Sequence, residues 1–265
     1  MITSYSNPLV KRIKRLRQKK NRERENAYYI EGLRVVLSAV EAGAPIDIIV
    51  FSQKLLNSDV AWQMLTEERA ASIRCEELSE AVFRSISQRD NPVGLGAIVN
   101  TKWTAIDELP IHPEAIFVAL VQVGEPGNLG SVLRTMDATG ATGLILVGAG
   151  VDPFHSTAVK ASMGTLYSVP IARAADEKTL MDWSRAHSLQ VTATTAKGAT
   201  LFWQAQYRRP GIVIMGSERT GLPNHILAEA DQTVSIPMAG SASSLNLAVA
   251  TGVILYELAR QHRES

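Results

Sequence analysis

Ser235-Ile236-Pro237-Met238-Ala239-Gly240-Ser241-Ala242-Ser243-Ser244-Leu245-Asn246-Leu247-Ala248-Val249-Ala250 is the stretch on which the fold turns. A short apolar strand breaks at Pro237, crosses small residues that keep the backbone open, and enters a long apolar helix expected over residues 245–261. Ser243 and Ser244 stand where an N-cap belongs, so hydroxyls and free backbone N–H groups crowd one spot. Such a spot receives a polar ligand between a loop and a helix start. Two further polar segments, residues 124–134 and 215–223, share the strand-then-loop build.

Working outward, apolar strands are expected over 116–123, 143–147, 168–171, 190–194, 211–215 and 233–236. Helices are expected between most of them, near 128–140, 156–163, 177–186 and 222–228. Near-continuous apolar strands alternating with helices define an α/β fold with a mostly parallel sheet covered on both faces. Ligands of such sheets bind outside the carboxyl ends of the strands, and all three polar segments follow strands. The first hundred residues read as a smaller α/β unit. It opens with a basic helix over residues 7–24, in which Leu9, Ile13 and Leu16 share one face. Strands over 27–31, 46–52, 72–75 and 95–100 then alternate with helices over 32–42, 59–70 and 78–86. Residues 101–114, with Pro110 and Pro113, read as a linker between a domain over 1–100 and one over 115–265.

The net charge of the 265 residues is only +1, yet Lys11, Arg12, Lys14, Arg15, Arg17, Lys19, Lys20, Arg22 and Arg24 face Glu23 alone within residues 7–24. Nine cations against one anion exceed what solubility asks and suit a row of phosphates. Arg84, Gln88 and Arg89 extend that basic character near the end of the first unit. The single Cys75 cannot form an internal disulfide, no apolar run approaches a membrane span, and the basic N-terminus has no signal-peptide core. A cytoplasmic protein without membrane attachment is expected. The dinucleotide fingerprint, the P-loop and the G-x-S-x-G elbow are absent, and five His with one Cys show no metal-ligand spacing. No metal is expected.

Three motifs carry a resemblance. N-x-G-x-x-x-R-T at 128–135, G-S-E-x-x-G-L at 216–222 and I-P-M-x-G-x-x-x-S-L-N at 236–246 resemble the three motifs of the SpoU (TrmH) family of RNA ribose methyltransferases, within the SPOUT superfamily. The resemblance runs over residues 115–260, and Ser162-Met163-Gly164 resembles a further family element. Residues 7–32 are similar to the substrate-binding domain attached to many members.

The resemblance implies a deep trefoil knot near the C-terminus, an exception among chain topologies. It implies S-adenosylmethionine as cofactor, held at Thr194, Gly216, Ile236, Met238 and Leu245, and a homodimer through the knotted domain. It places Asn128, Arg134, Glu218, Ser244 and Asn246 at the site of methyl transfer to a ribose 2′-hydroxyl. By acidity Glu218 is the more ordinary proton acceptor, since a guanidinium has a pKa above about 12. Ribosomal RNA is the expected substrate, gripped by Lys11, Arg12, Lys14, Arg15, Lys19, Lys20 and Arg22. The alternatives are a tRNA ribose methyltransferase and a catalytically silent RNA-binding or ribosome-assembly factor of the same fold.

Overall fold

The computed structural model describes residues 1–263, so the last two residues of the domain expected over 115–265 lie outside the described residues. The chain divides into two compact units, Met1–Lys102 with Phe154–Tyr167, and Trp103–Pro153 with the chain from Ser168 onward.

In the first unit α1 (Pro8–Arg15) and α2 (Lys19–Glu25) lead into β1 (Ala27–Glu31), α3 (Leu33–Glu41), β2 (Ile46–Phe51), α4 (Asp59–Ala70), β3 (Arg74–Glu77), α5 (Glu80–Ile86) and β4 (Leu95–Asn100). The strands form one mixed sheet in the order β1-β4-β2-β3, with β4 antiparallel to both neighbours and β3 parallel to β2. Val10, Ile13 and Leu16 pack with Val82, Phe83 and Ile86 over Val50 and Ile98.

Two expectations are corrected here. The basic helix expected over 7–24 is two helices, broken at Leu16-Arg17-Gln18. The break is stabilised from the second helix, because Arg22 donates to the carbonyls of Leu16 (2.9 Å) and Arg17 (2.8 Å) and Asn21 Nδ2 to that of Arg15 (2.9 Å). The carbonyls of Leu16 and Arg17 would otherwise be orphan acceptors of a helix end, while that of Arg15 also accepts from Gln18 N (3.1 Å). The strand expected over 72–75 runs over 74–77, because Ser72 is left-handed (φ 68°) and the amide of Ile73 still closes α4 on Glu68.

The chain continues through β5 (Ile116–Val121), α6 (Pro126–Thr139), β6 (Gly143–Val147), α7 (Ser156–Ser162), β7 (Ile171–Ala174), α8 (Glu177–Ala186), β8 (Gln190–Thr194), β9 (Thr200–Leu201), β10 (Gly211–Met215), α9 (Asn224–Glu229), β11 (Gln232–Ser235) and α10 (Leu247–Arg263). The seven strands form a parallel sheet in the order β7-β6-β5-β10-β8-β11-β9. Phe117, Ala119, Ile145, Ile212 and Ile214 bury one face against Leu180 and Trp183 of α8 and Ile226 of α9. Val118, Leu120, Leu144 and Val213 on the alternate positions are equally buried, so both faces are covered. α6 packs on α10.

Several boundaries move. The strand expected over 168–171 begins three residues later, after Pro170, whose carbonyl is taken by Leu144 N. β11 ends one residue earlier than expected, before Ile236 and Pro237, and β9 was not expected at all. Of the residues expected to link the domains, Trp103 lies under Arg173 (3.7 Å to the ring centroid), Thr104 N donates to Ile171 O (3.0 Å), and Leu109 is buried in the second unit's core. In the first unit α7 packs on β1, with Phe154 against Tyr28 (4.7 Å between centroids). Ser162-Met163-Gly164 ends α7 with two left-handed residues, and a Cβ on Gly164 would meet Ser38 Oγ at 2.5 Å.

Candidate active site

The loops after β8, β10 and β11 meet at the carboxyl edge of the parallel sheet and enclose a cavity of about 390 Å³. Thr194, Gly216, Ile236, Met238 and Leu245 all line it, together with Glu218 and Ser244. The walls are mainly apolar, from Met215, Val234, Ile236, Leu245, Leu247 and Ile254. Thr194 Oγ1 donates to Ile214 O (2.9 Å), which ties the end of β8 to β10. Lys197 is the one lysine or arginine among the lining residues. Glu218 opposes it, so the lining holds one charge of each sign, which fits a zwitterionic ligand rather than a polyphosphate. Size and lining fit a small amphiphilic ligand of nucleoside type.

Beside the cavity a hydrogen-bonded ladder joins three of the expected catalytic residues. Asn246 Nδ2 donates to Asn128 Oδ1 (2.9 Å), and Asn128 Nδ2 donates to Glu218 Oε1 (2.7 Å). The direction of the ladder is set at its far end. Asn246 Oδ1 accepts from Ala248 N (2.9 Å) and Val249 N (3.4 Å), capping α10. With that oxygen occupied, Asn246 offers Asn128 only its amino group, and Asn128 must in turn donate to Glu218. The helix expected from residue 245 thus starts at Leu247, and Asn246 takes the capping place expected of Ser243 and Ser244, which are exposed. The helix expected near 128–140 starts at Pro126, proline being favoured at the first position, and Asn128 lies inside its first turn.

Arg134 stands apart. It is exposed, makes no hydrogen bond or ion pair among the described residues, and does not line the cavity. Six residues separate it from Asn128 on α6, which turns it about 120° away around the helix and sets it about 9 Å along the axis.

The basic N-terminal residues divide into two groups. Lys11 and Lys20 are exposed and unpaired among the described residues, Lys14 sits over the Tyr5 ring (5.9 Å), and Lys19 lies 3.9 Å from Glu23. Arg12 pairs with Glu25 (3.0 Å) and Asp47, and Arg15 with Glu25 (3.6 Å). Arg22, only 4% exposed, is a buried helix brace and not a surface cation. Sequence reading also missed Thr195, Lys197, Thr220 and Ala250 in the cavity wall. Thr195 and Lys197 directly follow an apolar strand, the signal that could have found them.

Asn246→Asp separates the ladder from the cap. Asp caps a helix as well as Asn does, so the melting temperature is expected to stay within about 2 °C. The carboxylate cannot donate to Asn128, which must turn its own amino group toward residue 246 and its oxygen toward Glu218. Misplacing a positioning group costs on the order of 10²-fold in rate, and that loss is expected in kcat. Steady-state kinetics alongside a thermal melt check both halves.

A parallel α/β sheet thus carries a nucleoside-sized cavity at its carboxyl edge, with an Asn-Asn-Glu ladder beside it. The chain belongs to the SpoU rRNA Methylase family, whose match covers residues 115–256, and residues 7–97 match the MRM3-like substrate binding domain. An AdoMet-bound rRNA methyltransferase from Sinorhizobium meliloti is similar in structure, with a TM-score of 0.90 at 37% identity over 98% of this chain and 97% of that one. The 23S rRNA (uridine(2479)-2'-O)-methyltransferase of Streptomyces viridochromogenes is 31% identical, covering 93% of this chain and 87% of its own length. The 23S rRNA (guanosine(2553)-2'-O)-methyltransferase RlmP of Bacillus subtilis is 27% identical over 97% of this chain and 98% of its own. Among the described residues no helix is long and apolar enough to cross a membrane, and no cluster of His, Cys, Asp and Glu could hold a metal ion.

Proposed function

We infer that this chain methylates a ribose 2′-hydroxyl of ribosomal RNA with S-adenosylmethionine. The observation that carries the reading is the juxtaposition of the 390 Å³ cavity with the Asn246-Asn128-Glu218 ladder at one sheet edge. When bound, S-adenosylmethionine supplies an electrophilic methyl group. Ile236, Leu245 and Leu247 suit the faces of its adenine, peptide groups of the loops after β10 and β11 suit its polar edges, and Lys197 suits its carboxylate.

The protein's own contribution is to hold the ribose hydroxyl and relieve it of its proton. Among the described residues Glu218 carries a hydrogen bond on Oε1 only, leaving Oε2 to accept from the hydroxyl. Asn128 fixes that carboxylate in place, Asn246 fixes Asn128, and Ser244 offers a further hydroxyl at the cavity wall. Arg134 is a poor base but a bidentate partner for the phosphate flanking the target ribose. Val249 (53% exposed) and Tyr256 (59% exposed) lie seven residues apart on one face of α10, the helix that packs on α6. Large apolar side chains left bare on a helix face suit a second copy of the chain, and they support a homodimer in which Arg134 of one subunit serves the cavity of the other. The chain from β10 to α10 is the part that would thread the trefoil knot. Lys11, Lys14, Arg15, Lys19 and Lys20 remain available to grip RNA phosphates. A cytoplasmic setting agrees with the lone Cys75, whose thiol burial pushes above its ordinary range, away from ready oxidation.

The test is transfer of a tritiated methyl group to ribosomal RNA from cells lacking the protein. Label is expected in alkali-resistant dinucleotides, the mark of a methylated 2′-hydroxyl. Cofactor binding with no transfer to any ribosomal or transfer RNA would replace this reading with a silent RNA-binding factor.

A further inference from the structure

The first unit holds a second cavity, of about 260 Å³, that the methyl-transfer reading leaves without a role. Its floor is apolar: Leu16, Ile30, Val35, Phe154 and Val159. Phe154 is itself held by Tyr28 of β1. Four cations from three separate segments converge on it, namely Arg17 and Arg22, Arg89, and Lys160. Arg17 and Arg22 are anchored on main-chain carbonyls, so their charge is fixed in place. Arg89 and Lys160 are exposed, and their side chains have no hydrogen-bond or ion-pair partner among the described residues. The one carboxylate in the lining, Glu31, is already occupied by Ser87 Oγ (2.6 Å) and Gln88 N (3.2 Å). In the same wall the hydroxyl of Tyr29 is enclosed and has no hydrogen-bond partner among the described residues, and Ser156 and Thr157 add two more hydroxyls.

An apolar floor under a cationic mouth matches neither a bare phosphate, which would leave the floor uncovered, nor an apolar ligand, which would leave the cations facing nothing. It matches a flat base with an anionic ester attached. A base inside a duplex cannot present its face, so the occupant has to be unpaired. We propose that this cavity takes one extruded nucleotide of the RNA, its base on the Phe154 floor and its phosphate between Arg89 and Lys160. The proposal rests on the RNA reading above and adds to it a shape requirement: a bulge, loop or mismatch set apart from the ribose that is methylated.

The test uses the full chain and three RNAs compared by fluorescence anisotropy: a perfect 16-pair duplex, the same duplex with a single-nucleotide bulge, and the same bulge lacking its base. Stacking of one base is expected to make the bulged duplex bind about tenfold tighter than the other two. Arg89→Ala combined with Lys160→Ala should reduce that advantage to less than about twofold, while calorimetric binding of S-adenosylhomocysteine stays unchanged. Both side chains are exposed, so the double variant is expected to fold. Equal binding of all three RNAs, or a double variant that weakens perfect and bulged duplexes alike, would overturn the proposal and leave the methyl-transfer reading standing. Loss of S-adenosylhomocysteine binding by the unaltered chain would instead strike the methyl-transfer reading itself.

Discussion

Arg134→Ala is expected to lower methyl transfer by about 10³-fold, the scale of removing one preorganised charge from a transition state. Affinity for S-adenosylmethionine is expected to stay within a few fold, because the residue does not line the cofactor-sized cavity. Stability should hardly change either, since an exposed side chain with no partner among the described residues is being shortened. Arg134→Lys discriminates between two roles. A point charge near a phosphate would be partly kept by Lys, whereas a planar two-point grip would fail almost as badly as with Ala. The orientation of Arg134 on α6, about 120° around the helix from Asn128, adds a prediction that a single subunit could not satisfy. Mixing Arg134→Ala chains with Glu218→Gln chains should restore activity to about a quarter of the unaltered enzyme, since one site in a mixed dimer then carries both native groups. Activity that stays at the level of the separate variants would place both groups in the same subunit.

Fold and site were legible to different depths, for physical reasons. The parallel sheet declared itself because strands buried on both faces are near-continuous apolar runs, as in Ile116-Phe117-Val118-Ala119-Leu120-Val121 and Gly211-Ile212-Val213-Ile214-Met215. The cavity wall was legible because its loops follow those runs. The two-residue β9 left no such trace, since its pairing with β11 is set by tertiary contact and not by its own pattern. Nor could composition distinguish Arg22, which braces two helices, from Lys20, which is exposed. A cation in a basic run looks the same whether it meets a backbone carbonyl or a phosphate. The capping assignment near residue 244 failed for a related reason. Ser243, Ser244 and Asn246 are all good caps, and the choice among them is made by Asn128 across the fold. The inclusion of residues 154–167 in the first unit is likewise a property of packing, through Phe154 on Tyr28 and Tyr167 Oη near Tyr28 Oη (3.4 Å), that no local periodicity announces.

Gly216→Val is expected to remove measurable cofactor binding, and the structure changes the reason for it. The resemblance puts Gly216 at the cofactor, where an added side chain would fill space meant for the ligand. In the fold a Cβ at 216 would lie 2.3 Å from the carbonyl carbon of Gly221 and 2.5 Å from the amide nitrogen of Leu222, so it collides first with the protein's own backbone. The turn it would displace is tightly made. Gly221 N donates to Ser217 O (2.9 Å) with Gly221 left-handed (φ 67°), and Ser217 Oγ accepts from the amides of Arg219 and Thr220 (3.3 Å each). Glu218 rides on that turn, and Leu222 at its end is buried in the sheet's core. Forcing the turn outward therefore disturbs the cavity wall, the ladder and the core together. Overpacking of this kind costs about 1–3 kcal/mol, which for a chain of this size corresponds to roughly 2–12 °C in melting temperature. Gly216→Ala separates the two explanations, because it adds only the colliding atom. If the ligand alone set the limit, the alanine variant would melt like the unaltered protein in the absence of cofactor. A melting temperature lowered in the cofactor-free protein, together with weakened binding of S-adenosylhomocysteine, is the result that the Gly221–Leu222 contact requires.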